Sequence, residues 1–304
     1  MFTITVLGSG SSGNCALIST DQCHLLVDAG LSARQTVAKL DGLGIKPEQL
    51  DGILLTHEHC DHASGLEVLC RRREEIPIYC NKLTADALRH CGTLLKHRNW
   101  QFFTTGKDFE IKDIAVQTFS VPHDAVEPVG FMFHHERAAL GFLTDLGYAT
   151  KLVHERIRAA TTLLIETNHD NNLLSADTKR PWSVKQRITS RHGHLSNEAA
   201  AGVIAQLLSA GNKLRRAVLG HLSSDCNSPE LAVATIREKG AFSRPELEVF
   251  CASRKEVSAR MVIEPTPPEP EVKPARVKEE APAADPFQQM DLFGARPVES
   301  RFSV

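Results

Sequence analysis

Between residues 57 and 62 the sequence His57-Glu58-His59-Cys60-Asp61-His62 packs three histidines and an aspartate directly behind the apolar run Gly52-Ile53-Leu54-Leu55. An apolar run this short reads as a buried strand, so the polar cluster falls in the loop where that strand ends. Neutral imidazole and carboxylate are both good ligands for zinc, manganese or iron. With HxHxDH spacing, His57 and His59 can serve one ion while Asp61 and His62 serve a neighbouring one.

The same arrangement recurs along the chain. Apolar segments end in Val121-Pro122-His123, in Thr144-Asp145 and in Gly220-His221. In a layered fold, loops at one edge of a sheet converge on one site. Leu25-Leu26-Val27-Asp28 and Phe142-Leu143-Thr144-Asp145 share a pattern of apolar strand, aspartate, then glycine two residues on, which suggests two related halves. A carboxylate at a buried strand end needs a partner, and Asp28 can brace the histidine loop from behind. Helical signals cover 32–40, 64–73, 84–90, 149–160, 197–208 and 229–239, with Ser32 and Ser196 as N-caps and Pro229 in a first turn.

The chain of 304 residues is 42% apolar, enough for a sizeable core. No segment approaches the roughly 18–20 apolar residues of a membrane span. The start, Met1 to Leu7, lacks a basic region and alternates like a strand, so it does not read as a signal peptide. Eight scattered cysteines without a CxxC pair suit a reducing cytoplasm. From Met261 the composition shifts: the last 44 residues hold eight of the fifteen prolines and eight acids against five bases. The expected organisation is a folded body over 1–260 and a Pro-rich disordered tail over 261–304.

HxHxDH at 57–62, the isolated His123, the strand-end Asp145 and the late His221 occur in the order of the ligand motifs of the metallo-β-lactamase-fold hydrolases, which the chain resembles over about residues 1–258. The resemblance is more specific to the YycJ/WalJ-like bacterial exonucleases. It is carried by Gly8-Ser9-Gly10-Ser11-Ser12-Gly13-Asn14, Glu166-Thr167-Asn168-His169-Asp170, Gly193-His194-Leu195-Ser196-Asn197, and Gly220-His221-Leu222-Ser223 with Asn227-Ser228-Pro229. It implies an α/β fold, the αβ/βα four-layer sandwich, with metals at the sheet edge. It also implies two divalent ions, zinc or manganese: one on His57, His59 and His123, the other on Asp61, His62 and His221, with Asp145 between them. The relatives degrade DNA from 5′ ends, so the implied activity is a 5′→3′ DNA exonuclease in repair or replication. An RNA-processing nuclease of the same fold and a thioester or lactone hydrolase of the glyoxalase II type are the alternatives.

Charge supports a phosphodiester. Two divalent ions bring +4, and Asp61, Asp145 and a bridging hydroxide leave about +1, which favours an anionic substrate. His194 can contact the scissile phosphate or protonate the leaving oxygen, oriented by Glu166; the other reading is a capping or core histidine. The basic stretch with Lys185, Arg187 and Arg191 can track a phosphate backbone or be a solvated loop. The small-residue loop with Ser9, Ser11, Ser12 and Asn14 can approach an anion or be a flexible turn.

In the tail, Gln289-Met290-Asp291-Leu292-Phe293 resembles the pentapeptide with which bacterial DNA-processing proteins bind the replicative sliding clamp, through Gln289, Met290, Leu292 and Phe293. A disordered tether presenting apolar anchors to a groove fits that use. The expected partners are therefore DNA, or RNA, and the clamp, with no membrane.

Overall fold

A computed structural model describes residues 1–71, 73–92, 97–241 and 243–266. The tail motif at 289–293 lies outside the described residues. The compact unit runs from Met1 to Thr266, slightly past the expected boundary, because Met261 and Val262 pair with Ile4 and Thr3.

Two seven-stranded sheets form the centre. The first contains β1 (Thr3–Gly8), β2 (Cys15–Ser19), β3 (His24–Val27), β4 (Gly52–Leu54), β5 (Ile78–Cys80) and β6 (Trp100–Phe102). The second contains β7 (Asp108–Ile111), β8 (Ile114–Ser120), β9 (Val129–His135), β10 (Ala138–Leu143), β11 (Thr162–Glu166), β12 (Arg216–Gly220) and β13 (Glu248–Cys251). The last strand, β14 (Met261–Val262), returns to the edge of the first sheet beside β1.

The two sheets repeat one plan. From β14 the first sheet pairs antiparallel as far as β3 and parallel from there to β6. From β7 the second pairs antiparallel as far as β10 and parallel from there to β13. Asp28 and Asp145 follow β3 and β10, the equivalent strands, so the repeated sequence pattern reflects a repeated topology.

Strand alternation divides the core into layers. Ile4, Val6, Ile18, Phe131, Leu140 and Phe142 fill the space between the sheets. Leu7, Leu17, Leu26 and Ile53 face helices α1 (Ala33–Gly42), α2 (Cys60–Ala63), α3 (Leu66–Cys70) and α4 (Lys82–His90). Ala139, Leu143, Leu163 and Ile165 face α5 (Lys151–Arg156), α8 (Asn197–Ser209) and α9 (Pro229–Thr235). Strands buried on both faces read as unbroken apolar runs, which is why Gly52–Leu54 was legible as a strand. The remaining helices, α6 (Asn171–Ala176) and α7 (Trp182–Ile188), lie in the connection between β11 and α8.

Local signals explain most helix starts. Ser32 and Gln35 form a capping box on α1, and Ser196 accepts the Ala199 N–H on α8. The helix expected over 64–73 begins at Cys60 and breaks before Leu66. At Gly65 the backbone presses on the preceding loop: its N–H donates to the Ala29 carbonyl, and a Cβ would lie 1.9 Å from the Leu31 carbonyl oxygen. The helix expected over 149–160 is shorter, and its last turn, Ile157–Ala159, tightens to 3₁₀.

Candidate metal centre

Each donor sits just beyond a strand. His57 and His59 follow β4, and Asp61 and His62 occupy the short α2 that begins there. His123 follows β8, Asp145 follows β10 and His221 follows β12. Asp145 and His221 have left-handed backbone, φ 56° and 55°, as does Asp28 at 60°. Such a conformation is uncommon for a non-glycine residue and marks sites held by their surroundings.

The donors form adjoining nests. The ligand atoms of His57, His59 and His123 lie within 4.8 Å of one another, and so do those of Asp61, His62 and His221. Asp145 joins His57 and His62 in a third group between them. His123 Nε2 faces His59 Nδ1 at 3.3 Å, and His221 Nε2 lies 3.1 Å from Asp61 Oδ2.

In four of the five rings, all but His59, the other face is committed. His57 Nδ1 meets Thr56 Oγ1 at 3.0 Å, and His62 Nδ1 meets Asp28 Oδ2 at 2.7 Å. His123 Nδ1 donates to the Gly193 carbonyl at 3.0 Å, and His221 Nδ1 meets Glu166 Oε1 at 2.6 Å. This is the usual support of a metal-ligating histidine, since it fixes the tautomer and leaves Nε2 for the ion. His57 Nε2 is buried without a hydrogen-bond partner. Buried polar atoms are rarely left so. The residues therefore fit divalent cations by donor type, orientation and unmet demand.

Electrostatics agree. Burial pushes the His57 and His123 imidazoles below their ordinary value, which keeps them neutral donors. Burial also acts against charge on His62 and His221, but Asp145 outweighs it, together with Asp28 at His62 and with Asp61 and Glu166 at His221. His62 is held well above its usual range and His221 is raised to about 10. Burial likewise opposes charge on Asp61, yet bonds from His221 and His62 hold its carboxyl well below the usual carboxylate range. The carboxylates thus create a demand for positive charge inside the cluster.

Glu166 is fully buried and ties the open side together. Its Oε1 takes His194 Nδ1 at 2.8 Å as well as His221, and its Oε2 accepts the Leu146 and Leu195 N–H groups. His194 is more exposed than His57, His62, His123 and His221. Its ring lies 5.1 Å from that of His123 and 5.3 Å from that of His221. Glu166 holds the His194 Nδ1, which leaves Nε2 as the other ring nitrogen.

Three expected substrate contacts are placed differently. Ser9 is buried, and its hydroxyl accepts the His221 N–H at 2.7 Å. Asn14 is buried, with its Oδ1 accepting the Gly10 N–H and its Nδ2 beside Asp61 and His62. The Asn14 N–H donates to the Asp61 carbonyl. The Gly8–Asn14 loop is thus spent on bracing the ligand loops, and Ser11 and Ser12 alone keep exposed hydroxyls among the four. Arg187 is the third: it is paired with Asp124, the residue after His123. Lys185 Nζ donates to the Ser175 carbonyl, and Arg191 lies over the Tyr148 ring at 4.4 Å. Lys185 and Arg187 sit on α7, and Arg191 lies in the exposed turn after it.

Thr56, Asp124 and the Gly193 carbonyl went unseen in the sequence. Thr56 and Asp124 could have been found as neighbours of ligands. A backbone carbonyl carries no residue signature, so Gly193 could not.

The beta-lactamase superfamily domain model matches residues 24–222. The chain belongs to this superfamily. Within it, the chain is 38% identical over 241 residues to exodeoxyribonuclease YycJ of Bacillus anthracis, spanning 78% of this chain and 90% of that protein. It is 40% identical over 237 residues to exodeoxyribonuclease WalJ of Streptococcus pneumoniae, spanning 77% and 87%. Among solved structures it matches the metallo-β-lactamase-fold protein YhfI of Bacillus subtilis, with a TM-score of 0.65 and 17% identity over 85% of this chain and 99% of that one. The four-layer fold expected from the sequence is therefore the one observed. With an intact His/Asp cluster, this member is a metal-dependent hydrolase. No helix among the described residues is long and apolar enough to cross a membrane.

Proposed function

We propose that this chain is an exonuclease that hydrolyses DNA in the 5′→3′ direction in repair or replication. One observation carries the reading: two nests of donors meet at Asp145, with a mobile-proton group, His194, fixed beside them by a buried glutamate. The similarity to YycJ and WalJ over most of the chain supports DNA as substrate.

His57, His59 and His123 would hold one cation and Asp61, His62 and His221 a second, with Asp145 shared. Two such cations supply Lewis-acid stabilisation of phosphoryl oxygens and acidify an attacking water. Everything else is done by the chain. Thr56, Asp28, Gly193 and Glu166 orient the rings. Burial around His194 disfavours its charge, but Glu166 and Asp145 outweigh it and raise its pKa. His194 thereby favours its protonated form more than a free imidazole does, and its Nε2 would be the nitrogen that gives a proton to the leaving oxygen.

The polarity and substrate are tested with oligonucleotides labelled at either end, in DNA and RNA versions, with Mn²⁺ or Zn²⁺ and with chelator. Release of labelled mononucleotide from 5′-labelled DNA is the expected result. Hydrolysis of a glutathione thioester in place of any nucleic acid overturns it.

Recruitment to a sliding clamp through Gln289, Met290, Leu292 and Phe293 completes the proposal, and the motif itself supports it. Phe293→Ala is expected to spare cleavage of free DNA and to abolish clamp binding in calorimetry. Equal affinity of both proteins removes the recruitment.

A further inference from the structure

Helix α7 has no buried residue, and Trp182 at its start is 70% exposed. Yet the helix is firmly fastened. Before its start, Arg180 pairs with Asp177 at 2.8 Å and with Asp225 at 2.9 Å, and Asp225 lies in the loop that follows His221. Toward its end, Arg187 pairs with Asp124, next to His123. The Ile188 carbonyl accepts the His194 N–H at 2.9 Å. Thus α7 is tied to the loops of two expected ligands and to the loop of His194. At 1.5 Å per residue, Trp182 stands about 9 Å along the axis from Ile188.

The charge beside Trp182 is in surplus. Lys179, Arg180 and Arg187 are neutralised by Asp225, Asp177 and Asp124. Lys185 and Arg191 have no acidic partner among the described residues: the first donates to a carbonyl and the second lies over Tyr148. Tyr148 comes three residues after Asp145.

We propose that α7 is a stacking ledge for single-stranded DNA, on which Trp182 takes the face of a base while Lys185 and Arg191 meet the phosphates leading to the metal centre. This rests on the nuclease reading above. An exposed aromatic ring next to unpaired cations is the general apparatus for single strands, because every base offers a π-face once it leaves the duplex. In a duplex those faces are covered by neighbouring pairs, so the ledge favours an overhang or frayed end over a blunt one. The continuity of α7 with the expected ligand loops favours DNA over a protein as the occupant.

The test uses the full chain. In the Asp61→Ala protein, titration with an oligothymidine should quench tryptophan fluorescence, and adding Trp182→Ala should abolish the quench while Trp100 remains as background. In the active enzyme, Trp182→Ala should raise KM about ten-fold on a ten-nucleotide strand and leave a dinucleotide unaffected. Trp182→Phe should restore most of the loss. A structural role for Trp182 would affect both lengths alike. Active cleavage with unchanged KM and no quench overturns the ledge while the nuclease reading stands; a wild-type protein that cleaves no DNA fails at the earlier step. Stronger quenching by RNA of equivalent sequence overturns DNA as the occupant, and binding of a protein at Trp182 with no effect of DNA reassigns the face.

Discussion

Asp28 and Asp145 grip the same imidazole from opposite sides. Asp28 Oδ2 lies 2.7 Å from His62 Nδ1, and Asp145 Oδ2 lies 3.1 Å from His62 Nε2. Both aspartates end equivalent strands of the two sheets with nearly the same left-handed φ, 60° and 56°. The repeated half of the fold therefore supplies one carboxylate as a prop and its counterpart as an expected ligand. That division of labour would arise because His62 lies between the sheets' edges and presents different nitrogens to each.

Asp28 touches no expected ion, so Asp28→Asn isolates the prop. Asparagine tolerates the left-handed backbone, and the change removes the charge that holds His62 Nδ1 and Thr56. Metal affinity should fall about 10–100-fold, with folding intact by circular dichroism. A competitive chelator titration measures it, and unchanged affinity would show that Asp28 is not needed to orient His62.

Gly30 matters through space alone. A Cβ there would lie 1.7 Å from the Asp61 carbonyl oxygen and 2.8 Å from the Asn14 backbone nitrogen. Gly30→Ala must push the ligand loop away. A cost of about 1–3 kcal/mol in urea unfolding is expected, together with loss of bound metal. Wild-type stability in this variant would contradict the packing.

Removing donors directly should be more severe. Asp61→Ala and His59→Ala strike different nests, and each should lower exonuclease activity by about a thousand-fold or more, as expected when preorganised charge is lost. Elemental analysis should find less than the full metal content in each. Normal activity in chelator-treated wild-type protein would exclude a role for the ions.

Metal uptake should release protons. His62 is held well above its ordinary pKa and His221 at about 10, and ligation requires both neutral. Affinity should therefore rise with pH from 7 toward 10. Calorimetry at pH 7.5 in buffers of different ionisation enthalpy should report net proton release, to which His221 contributes. The His221 contribution to ion-free stability has the opposite sense: it is full below the unfolded value of 6.5 and is lost as pH rises toward 10. Identical heats in all buffers would refute the proton release.

The sequence by itself named the candidate donors and the strand ends that carry them. Donor chemistry is fixed by residue type, and doubly buried strands leave apolar runs that a local window detects. Ser32, Ser196 and Pro229 were legible for the same reason, because capping acts within one helical turn. The tertiary structure alone decided which neighbours hold the donor side chains and which groups are already spent. Ser9 reads as a substrate contact until His221, 212 residues away, takes its hydroxyl. Arg187 reads as a free cation until Asp124, 63 residues away, neutralises it. Hydrogen bonds and ion pairs are settled by proximity in space, so a pattern along the chain can name the groups but not their partners.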